Sequence, residues 1–158
     1  HVNIIGLSVD PVENHAKWAA ELAETQGPEP HSPMIADTDF NVSKLYRMLP
    51  ADVSGDPTAR TAAQNQTLRN VFVIGPDKTI KLVLIYPMTT GRNFDEVLRV
   101  IDSLQLTAKH RVATPVNWKD GDDVIIAGSV SDEEAKKTYP DGWKAPRPYI
   151  RIVPQPKS

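Results

Sequence analysis

The sequence predicts an α/β fold in which helices cover a mixed β-sheet. Over residues 1–105, short apolar runs typical of buried strands alternate with longer amphipathic stretches typical of helices. The elements follow in the order β-α-β-α-β-β-α, which implies an α/β sandwich with a mixed sheet. Residues 67–104 alone supply a strand, a tight turn, a second strand, a loop and a helix.

The chain opens with a predicted strand and helix. His1–Val9 is rich in branched apolar residues and is predicted as a buried strand. Asp10 followed by Pro11 is a helix-start signal, with aspartate at the N-cap and proline at the first helical position. Gly27 followed by Pro28 ends that helix.

A second strand and helix precede a long polar stretch. Met34–Ala36 is predicted as a short strand, and Phe40–Met48 as a helix. The apolar residues expected to face inward from this helix are Val42, Leu45 and Tyr46. Residues 50–66 show neither the periodicity of a helix nor that of a strand and are predicted as a loop. Loops of this length are usually functional or mobile.

A hairpin and a helix follow. Val71–Ile74 is predicted as a strand buried on both faces, and Ile80–Tyr86 as its longer return strand. Between them, residues 75–78 have the composition of a tight turn. Asn93 is predicted to cap the next helix, with Glu96 three residues later as in a capping box. Its apolar stripe consists of Phe94, Val97, Leu98, Ile101 and Leu104.

The C-terminal part differs in kind and suggests a domain boundary. We predict one domain over residues 1–106 and a small α+β domain over residues 107–158, with a hinge-like strip at 107–118. The small domain should contain a strand at Asp122–Ala127, a helix capped by Ser131 with Glu134, and a last strand at Tyr149–Val153. With so few large apolar groups, it is expected to need the main domain or a partner subunit.

Composition excludes several classes of function. A net charge of -2 and a pI near 6.1 give no electrostatic case for binding nucleic acid or an anionic membrane. No apolar run approaches the roughly 18 residues of a membrane span, and no signal peptide is visible, so we expect a cytoplasmic protein. There is no cysteine, which excludes disulfides and thiol catalysis within these residues. The histidines lack metal-ligand spacing, and neither metal nor cofactor is expected.

Two arginines frame the hairpin and are the candidate site residues. Arg69 lies just before the first strand, and Arg92 follows the second. A solvated arginine is the more frequent case for both, at the end of a strand for Arg69 and beside a helix N-terminus for Arg92. The functional alternative is an anion or thiolate clamp, because the guanidinium offers fixed, charged donors. Asp77 is interpreted as a turn residue, and the residues alone contain no complete catalytic constellation.

Longer motifs carry a specific resemblance. The chain contains LRNVFVIGPDKTIKLVLIYPMTTGRNFDEVLRVIDSLQLT and then VATPVNWKDGDDVII, with IIGLSVDPVENHAKW and DTDF earlier and VPQP near its end. Over its whole length it resembles the 1-Cys peroxiredoxins, the subfamily with a C-terminal extension on a thioredoxin-like domain. The resemblance implies a thiol-dependent peroxidase that reduces hydroperoxides through a cysteine sulfenic acid, with an external thiol as the reductant.

The resemblance also implies that a segment is missing. Family members carry an upstream strand and helix with the peroxidatic cysteine, and this chain begins after that segment, so alone it should be inactive. The active-site arginine of the family matches Arg69, and the arginine of the TTGRNF motif matches Arg92 in a supporting role. The missing strand would lie between the strands at His1–Val9 and Val71–Ile74, so a gap in the sheet is expected.

The same resemblance bears on assembly and on alternatives. A homodimer is expected through the Ile80–Tyr86 strand, whose apolar outer edge nothing in the sequence covers. A non-catalytic thioredoxin-like interaction or scaffold module has the same visible residues and remains the alternative. A different thioredoxin-like enzyme is a third hypothesis, against which YPMTTGRNF argues.

Overall fold

A computed structural model describes residues 2–27, 31–49 and 67–157 and divides the chain into two compact units, residues 1–92 and residues 93–158. The long loop predicted at residues 50–66 lies outside the described residues. The domain boundary between residues 106 and 107 stays a prediction.

The first unit begins with a short parallel strand pair. Strand β1, Gly6–Ser8, pairs with β2, Met34–Ala36, and helix α1, Val12–Gln26, connects them. The strand predicted over His1–Val9 is therefore too long, and Ile4 and Ile5 are 68% and 63% exposed. An apolar run forms a regular strand only where it has a ladder partner, and β2 offers only 3 residues.

Helix α1 starts one residue later than predicted. Its N-cap is Pro11, whose φ of -63° and ψ of 156° are extended, and no side chain of the described residues caps the helix. The predicted cap, Asp10, instead accepts a hydrogen bond from Ser8 Oγ at 2.7 Å. The Asp10 carboxylate therefore bonds to Ser8 at the end of the strand and does not cap the helix.

Helix α2 is shorter than predicted and covers Asn41–Leu45. Phe40 precedes it in a left-handed conformation with φ 59° and is 1% exposed. The prediction that Leu45 faces inward is wrong, because its side chain is 76% exposed, whereas Ser43 is fully buried. The cause is the carboxylate of Asp37, which accepts hydrogen bonds from the amides of Val42 and Ser43 and so turns Ser43 inward.

The predicted hairpin is confirmed. Strand β3, Arg69–Ile74, runs antiparallel to β4, Ile80–Tyr86, with Arg69 opposite Tyr86. The turn closes with Lys78 N donating to the Gly75 carbonyl at 2.9 Å. The expectation that the first strand is buried on both faces is wrong: its middle residues are half-buried and Ile74 is 51% exposed. In the described parts of the chain, β4 is the only strand that pairs with β3.

The two strand pairs form separate sheets. Within residues 2–27, 31–49 and 67–92, no ladder joins β1 to β3. This agrees with the gap between these strands that the family resemblance implied. Strands β1 and β3 therefore each keep one edge without a ladder partner among the described residues.

The second unit has a long helix followed by an antiparallel sheet. Its elements are α3 Phe94–Lys109, β5 Val112–Ala113, β6 Val124–Ile126, α4 Asp132–Thr138, β7 Lys144–Arg147 and β8 Ile150–Val153. The strand order is β5-β6-β8-β7. The hinge-like strip predicted at residues 107–118 is wrong, because α3 continues to Lys109 and β5 follows. Strand β7, which contains Pro146 and is exposed throughout, was not predicted.

The caps of both helices in this unit were predicted correctly in position. Ser131 and Glu134 form a complete capping box at α4. At α3, Asn93 Oδ1 accepts from Glu96 N at 3.2 Å, but the Glu96 carboxylate pairs with Arg99 instead of closing the box. The nearby guanidinium is a stronger partner for a carboxylate than a backbone amide.

The C-terminal part builds a core of its own. Trp118, 1% exposed, is surrounded by buried apolar residues, and its Nε1 donates to the Asp122 carbonyl at 3.2 Å. The other members are Leu106, Val112, Val124, Ile126, Val130, Ala135 and Val153. Leu106, at the end of α3, belongs to the domain predicted over residues 1–106. The expectation that the C-terminal part packs on that domain or on a partner subunit stays a prediction.

Candidate active site

Arg69 begins strand β3 and lies at one end of an apolar surface. Because side chains alternate along a strand, Arg69, Val71 and Val73 share one face of the hairpin. The residues paired with them on β4 are Tyr86, Leu84 and Leu82. All five apolar side chains of this face are half-buried, whereas Arg69 is exposed. An exposed charged group thus lies at the end of a half-buried apolar surface.

The guanidinium of Arg69 is fixed by one hydrogen bond. Its Nε donates to the backbone carbonyl of Met88 at 3.0 Å, across the hairpin. Met88 lies in a turn that closes with Thr90 N donating to the Pro87 carbonyl at 2.9 Å. The terminal nitrogens, Nη1 and Nη2, have no partner among the described residues. They remain available as paired donors for an anion.

Arg92, the second predicted residue, lies four residues beyond Met88. It is exposed and directly precedes Asn93, the N-cap of α3. The catalytic role assigned to Arg69 and the supporting role assigned to Arg92 both stay predictions.

Asn70 is an unusual neighbour that sequence reasoning missed. It faces away from Arg69, on the side where Phe72 packs edge-on against Tyr46 with ring centroids 5.0 Å apart. Both polar atoms of its side chain, Oδ1 and Nδ2, are buried without a hydrogen-bond partner among the residues that the structure describes. Leaving such groups unpaired costs about 1–3 kcal/mol each. The only signal in the sequence is a carboxamide within a strand of branched residues.

Asp77, at the tip of the hairpin, is a structural residue of the turn. The Lys81 ammonium, 2.6 Å from Asp77 Oδ2, and then the hydroxyl and amide of Thr79 lower the pKa of Asp77 to about 2. An aspartate that is ionised so firmly is a poor proton donor at neutral pH. This agrees with its interpretation as a turn residue.

Among the described residues, no three histidine, aspartate or glutamate side chains are close enough to hold a metal ion. None of the helices in that part of the chain is long and apolar enough to span a membrane.

Comparison with known proteins assigns the family. A family model described as the AhpC/TSA family matches residues 1–83, and one described as the C-terminal domain of 1-Cys peroxiredoxin matches residues 103–142. The 1-Cys peroxiredoxin of Dictyostelium discoideum is 44% identical over 153 residues, which is 97% of this chain and 60% of that protein. Peroxiredoxin-6 of Homo sapiens is 45% identical over 168 residues, covering 99% of this chain and 71% of the human protein.

Solved structures give the same result. A yeast mitochondrial 1-Cys peroxiredoxin superposes with a TM-score of 0.85 and 45% identity, over 97% of this chain and 70% of that chain. A cysteine-to-serine mutant of the peroxiredoxin 6 of Arenicola marina superposes with a TM-score of 0.82 and 41% identity, over 99% and 72%. These likenesses confirm the predicted thioredoxin-like α/β fold.

The fold and the matched family models define a thioredoxin-like protein of the AhpC/TSA type. The chain belongs to the peroxiredoxin family, in its 1-Cys group. The predicted family is thereby confirmed, and the hypothesis of a different thioredoxin-like enzyme is excluded. The chain spans 60% of the length of the Dictyostelium relative. The present chain contains no cysteine.

Proposed function

We propose that this chain is part of a thiol-dependent peroxidase that reduces hydrogen peroxide and organic hydroperoxides. The peroxidatic cysteine is provided by a segment preceding His1 in a longer polypeptide, the parent protein. The observation that supports the proposal best is Arg69, which sits beside an apolar surface with its Nη pair unoccupied by the described residues. It also matches the active-site arginine of the family in sequence.

The reaction needs a thiolate and a fixed positive charge. The thiolate sulfur attacks one peroxide oxygen, the O–O bond breaks, and the sulfur becomes a sulfenic acid. The departing oxygen leaves as hydroxide or alkoxide and takes up a proton to give water or an alcohol. A neighbouring guanidinium lowers the pKa of the cysteine and stabilises the charge that develops on the departing oxygen. Arg69 is assigned this role, and Arg92 a supporting one.

An external thiol completes the cycle. The first thiol condenses with the sulfenic acid and releases water, forming a mixed disulfide, and a second thiol displaces the cysteine. The chain has no cysteine that could act in place of this thiol. The yeast mitochondrial relative has a thiol resolving mechanism via glutathione and thioredoxin systems, which supports an external reductant for the parent protein by analogy.

Peroxide consumption by the two forms tests this proposal. The parent protein should reduce hydrogen peroxide with a small thiol as reductant, whereas the present chain, purified free of metal, should not. The side chains in this chain are poor nucleophiles toward peroxide compared with a thiolate. Turnover by the isolated chain, or none by the parent protein, contradicts the proposal.

We further propose that the parent protein is a homodimer joined through β4. This strand has ladder partners on one edge only in the described parts of the chain. Its one charged residue, Lys81, is paired with Asp77 and leaves the edge poorly protected against strand addition. A two-fold axis would set β4 antiparallel to its own copy.

The proposed compartment of the parent protein is the cytoplasm. The yeast relative is a mitochondrial protein, so the family does not decide the compartment. Fractionation of cells that express the tagged parent protein tests it, and recovery with an organelle contradicts it.

The scaffold alternative is not favoured by the family assignment. Both hypotheses predict the same residues in this chain, so the intact mass and cysteine content of the parent protein separate them. A parent protein without a cysteine would leave the scaffold as the better account.

A further inference from the structure

Arg69 is anchored through one particular edge of its guanidinium. A guanidinium is planar, with one N–H at Nε and two N–H groups at each Nη. The bond from Nε to the Met88 carbonyl occupies the side edge, which contains Nε. The end edge, formed by the two Nη atoms, has no partner within the described residues.

The position of the acceptor, the Met88 carbonyl oxygen, is also defined by the surrounding backbone. Met88 is the second residue of the turn Pro87–Thr90, and the bond between Thr90 N and the Pro87 carbonyl closes that turn at 2.9 Å. Strand register places Arg69 opposite Tyr86, two residues before Met88. The hairpin and the turn together therefore position the carbonyl, and its bond to Nε restricts the orientation of the guanidinium.

We propose that the Met88 carbonyl positions Arg69, so that the guanidinium meets its anion end-on, through Nη1 and Nη2. This inference rests on the proposed function, in which the anion is the cysteine thiolate and then the departing oxygen. Two parallel donors on one rigid plane can contact both centres at once, whereas a single rotatable ammonium cannot. Met88 acts through Arg69 and contacts no reacting atom.

A backbone substitution tests the role without changing a side chain. In the parent protein, Thr89 is replaced by its α-hydroxy acid, which converts the Met88–Thr89 amide into an ester and weakens the Met88 carbonyl as an acceptor. The amide N–H of Thr89 that is lost donates to no group in the described residues. The matched control is the same change at Asp77, which weakens the Pro76 carbonyl, an oxygen that accepts no bond there.

Two readouts are taken on each protein. One is the rate constant for hydrogen peroxide against pH, and the other is hydrogen exchange at Arg69 Nε by nitrogen-15 NMR. Weakening one such bond corresponds to about a three- to tenfold loss in rate. We expect that loss at Thr89, with a higher apparent pKa of the cysteine and faster exchange at Nε. The ester at Asp77 should behave as the unmodified protein.

The outcomes separate the two proposals. One outcome is a Thr89 ester that keeps the rate constant, the pH profile and the Nε exchange rate of the unmodified protein while Arg69→Lys loses peroxidase rate. In that case the positioning role is wrong and the peroxidase assignment stands. An equal loss in the Asp77 ester also overturns the positioning role. If the unmodified parent protein consumes no peroxide, the proposed function fails, and unchanged exchange at Nε in the Thr89 ester then rejects the anchor itself.

Discussion

Asp37 accepts two hydrogen bonds from Ser43, one from its backbone amide at 2.7 Å and one from its hydroxyl. Both residues are buried, with 6% and 0% of their surface exposed. Burial by itself raises the pKa of Asp37, but the hydrogen bonds from the Ser43 hydroxyl and from the amides of Val42 and Ser43 outweigh it and lower the pKa. The charged carboxylate is therefore the form that holds helix α2 in place.

Replacing Asp37 should destabilise the first unit. In Asp37→Ala, the amides of Val42 and Ser43 lose their acceptor, which should cost about 1–3 kcal/mol in the free energy of unfolding. The control is Asp39→Ala, two residues away and exposed, which should change stability little. Equal midpoints of urea unfolding for the wild type and Asp37→Ala would contradict this role.

The same carboxylate should make stability depend on acid. The folded-state pKa of Asp37 lies below its ordinary value of 3.8, so its contribution is complete above pH 3.8 and is lost as pH falls through the lowered pKa. Urea unfolding should show a steeper loss of stability below pH 3.8 in the wild type than in Asp37→Asn. Parallel curves for the two proteins would show that Asp37 does not supply the acid sensitivity.

The hairpin turn offers a second titration with a defined value. The pKa of Asp77 is about 2, and the first cause is the hydrogen bond from Lys81, followed by those from Thr79. NMR titration of the Asp77 carboxyl carbon should give a midpoint near that value, and Lys81→Met should raise it toward 3.8 more than Thr79→Val does. A larger shift in Thr79→Val would reverse the order of causes.

Asn70→Val should stabilise the isolated chain. Valine removes Oδ1 and Nδ2, both of which are buried without a partner in the described parts of the chain, and it suits a strand. The expected gain is about 1 kcal/mol in the free energy of unfolding, and Asn70→Asp, which buries a charge, should cause a loss. If Asn70→Val is destabilising only in the parent protein, the segment before His1 supplies the partner of the carboxamide.

The proposed dimer should be sensitive to a charge on β4. Leu84→Asp places like charges near the two-fold axis and should shift the parent protein toward monomer in sedimentation. The control is Ile74→Asp, which adds the same charge at the end of β3, where the side chain is 51% exposed. A parent protein that is monomeric at micromolar concentration, or a Leu84→Asp variant that dimerises as tightly, contradicts the edge-to-edge arrangement.

Local signals in the sequence were sufficient where neighbouring residues decide the structure. The hairpin of β3 and β4 and the caps at Asn93 and Ser131 follow from turn and capping chemistry a few residues long. Long-range partners decided the errors. Asp37 turned Leu45 outward, and β2 limited the first strand to Gly6–Ser8.

The candidate site likewise has one feature that the sequence predicted and others that depend on long-range contacts. The motif identified Arg69, but no local pattern could predict that its Nε would meet the Met88 carbonyl, because that bond joins residues 19 apart through a hairpin and a turn. Whether the buried Asn70 carboxamide has a hydrogen-bond partner likewise depends on the residues that pack over the strand, and no local pattern reveals them.

The most direct test compares two substitutions in the parent protein. Lysine at position 69 or 92 keeps the positive charge but loses the planar pair of donors. The rate constant for hydrogen peroxide should fall more in Arg69→Lys than in Arg92→Lys, because only Arg69 is assigned to the thiolate. Small and equal losses in the two variants would contradict the central claim that Arg69 stabilises the reacting thiolate and the departing oxygen.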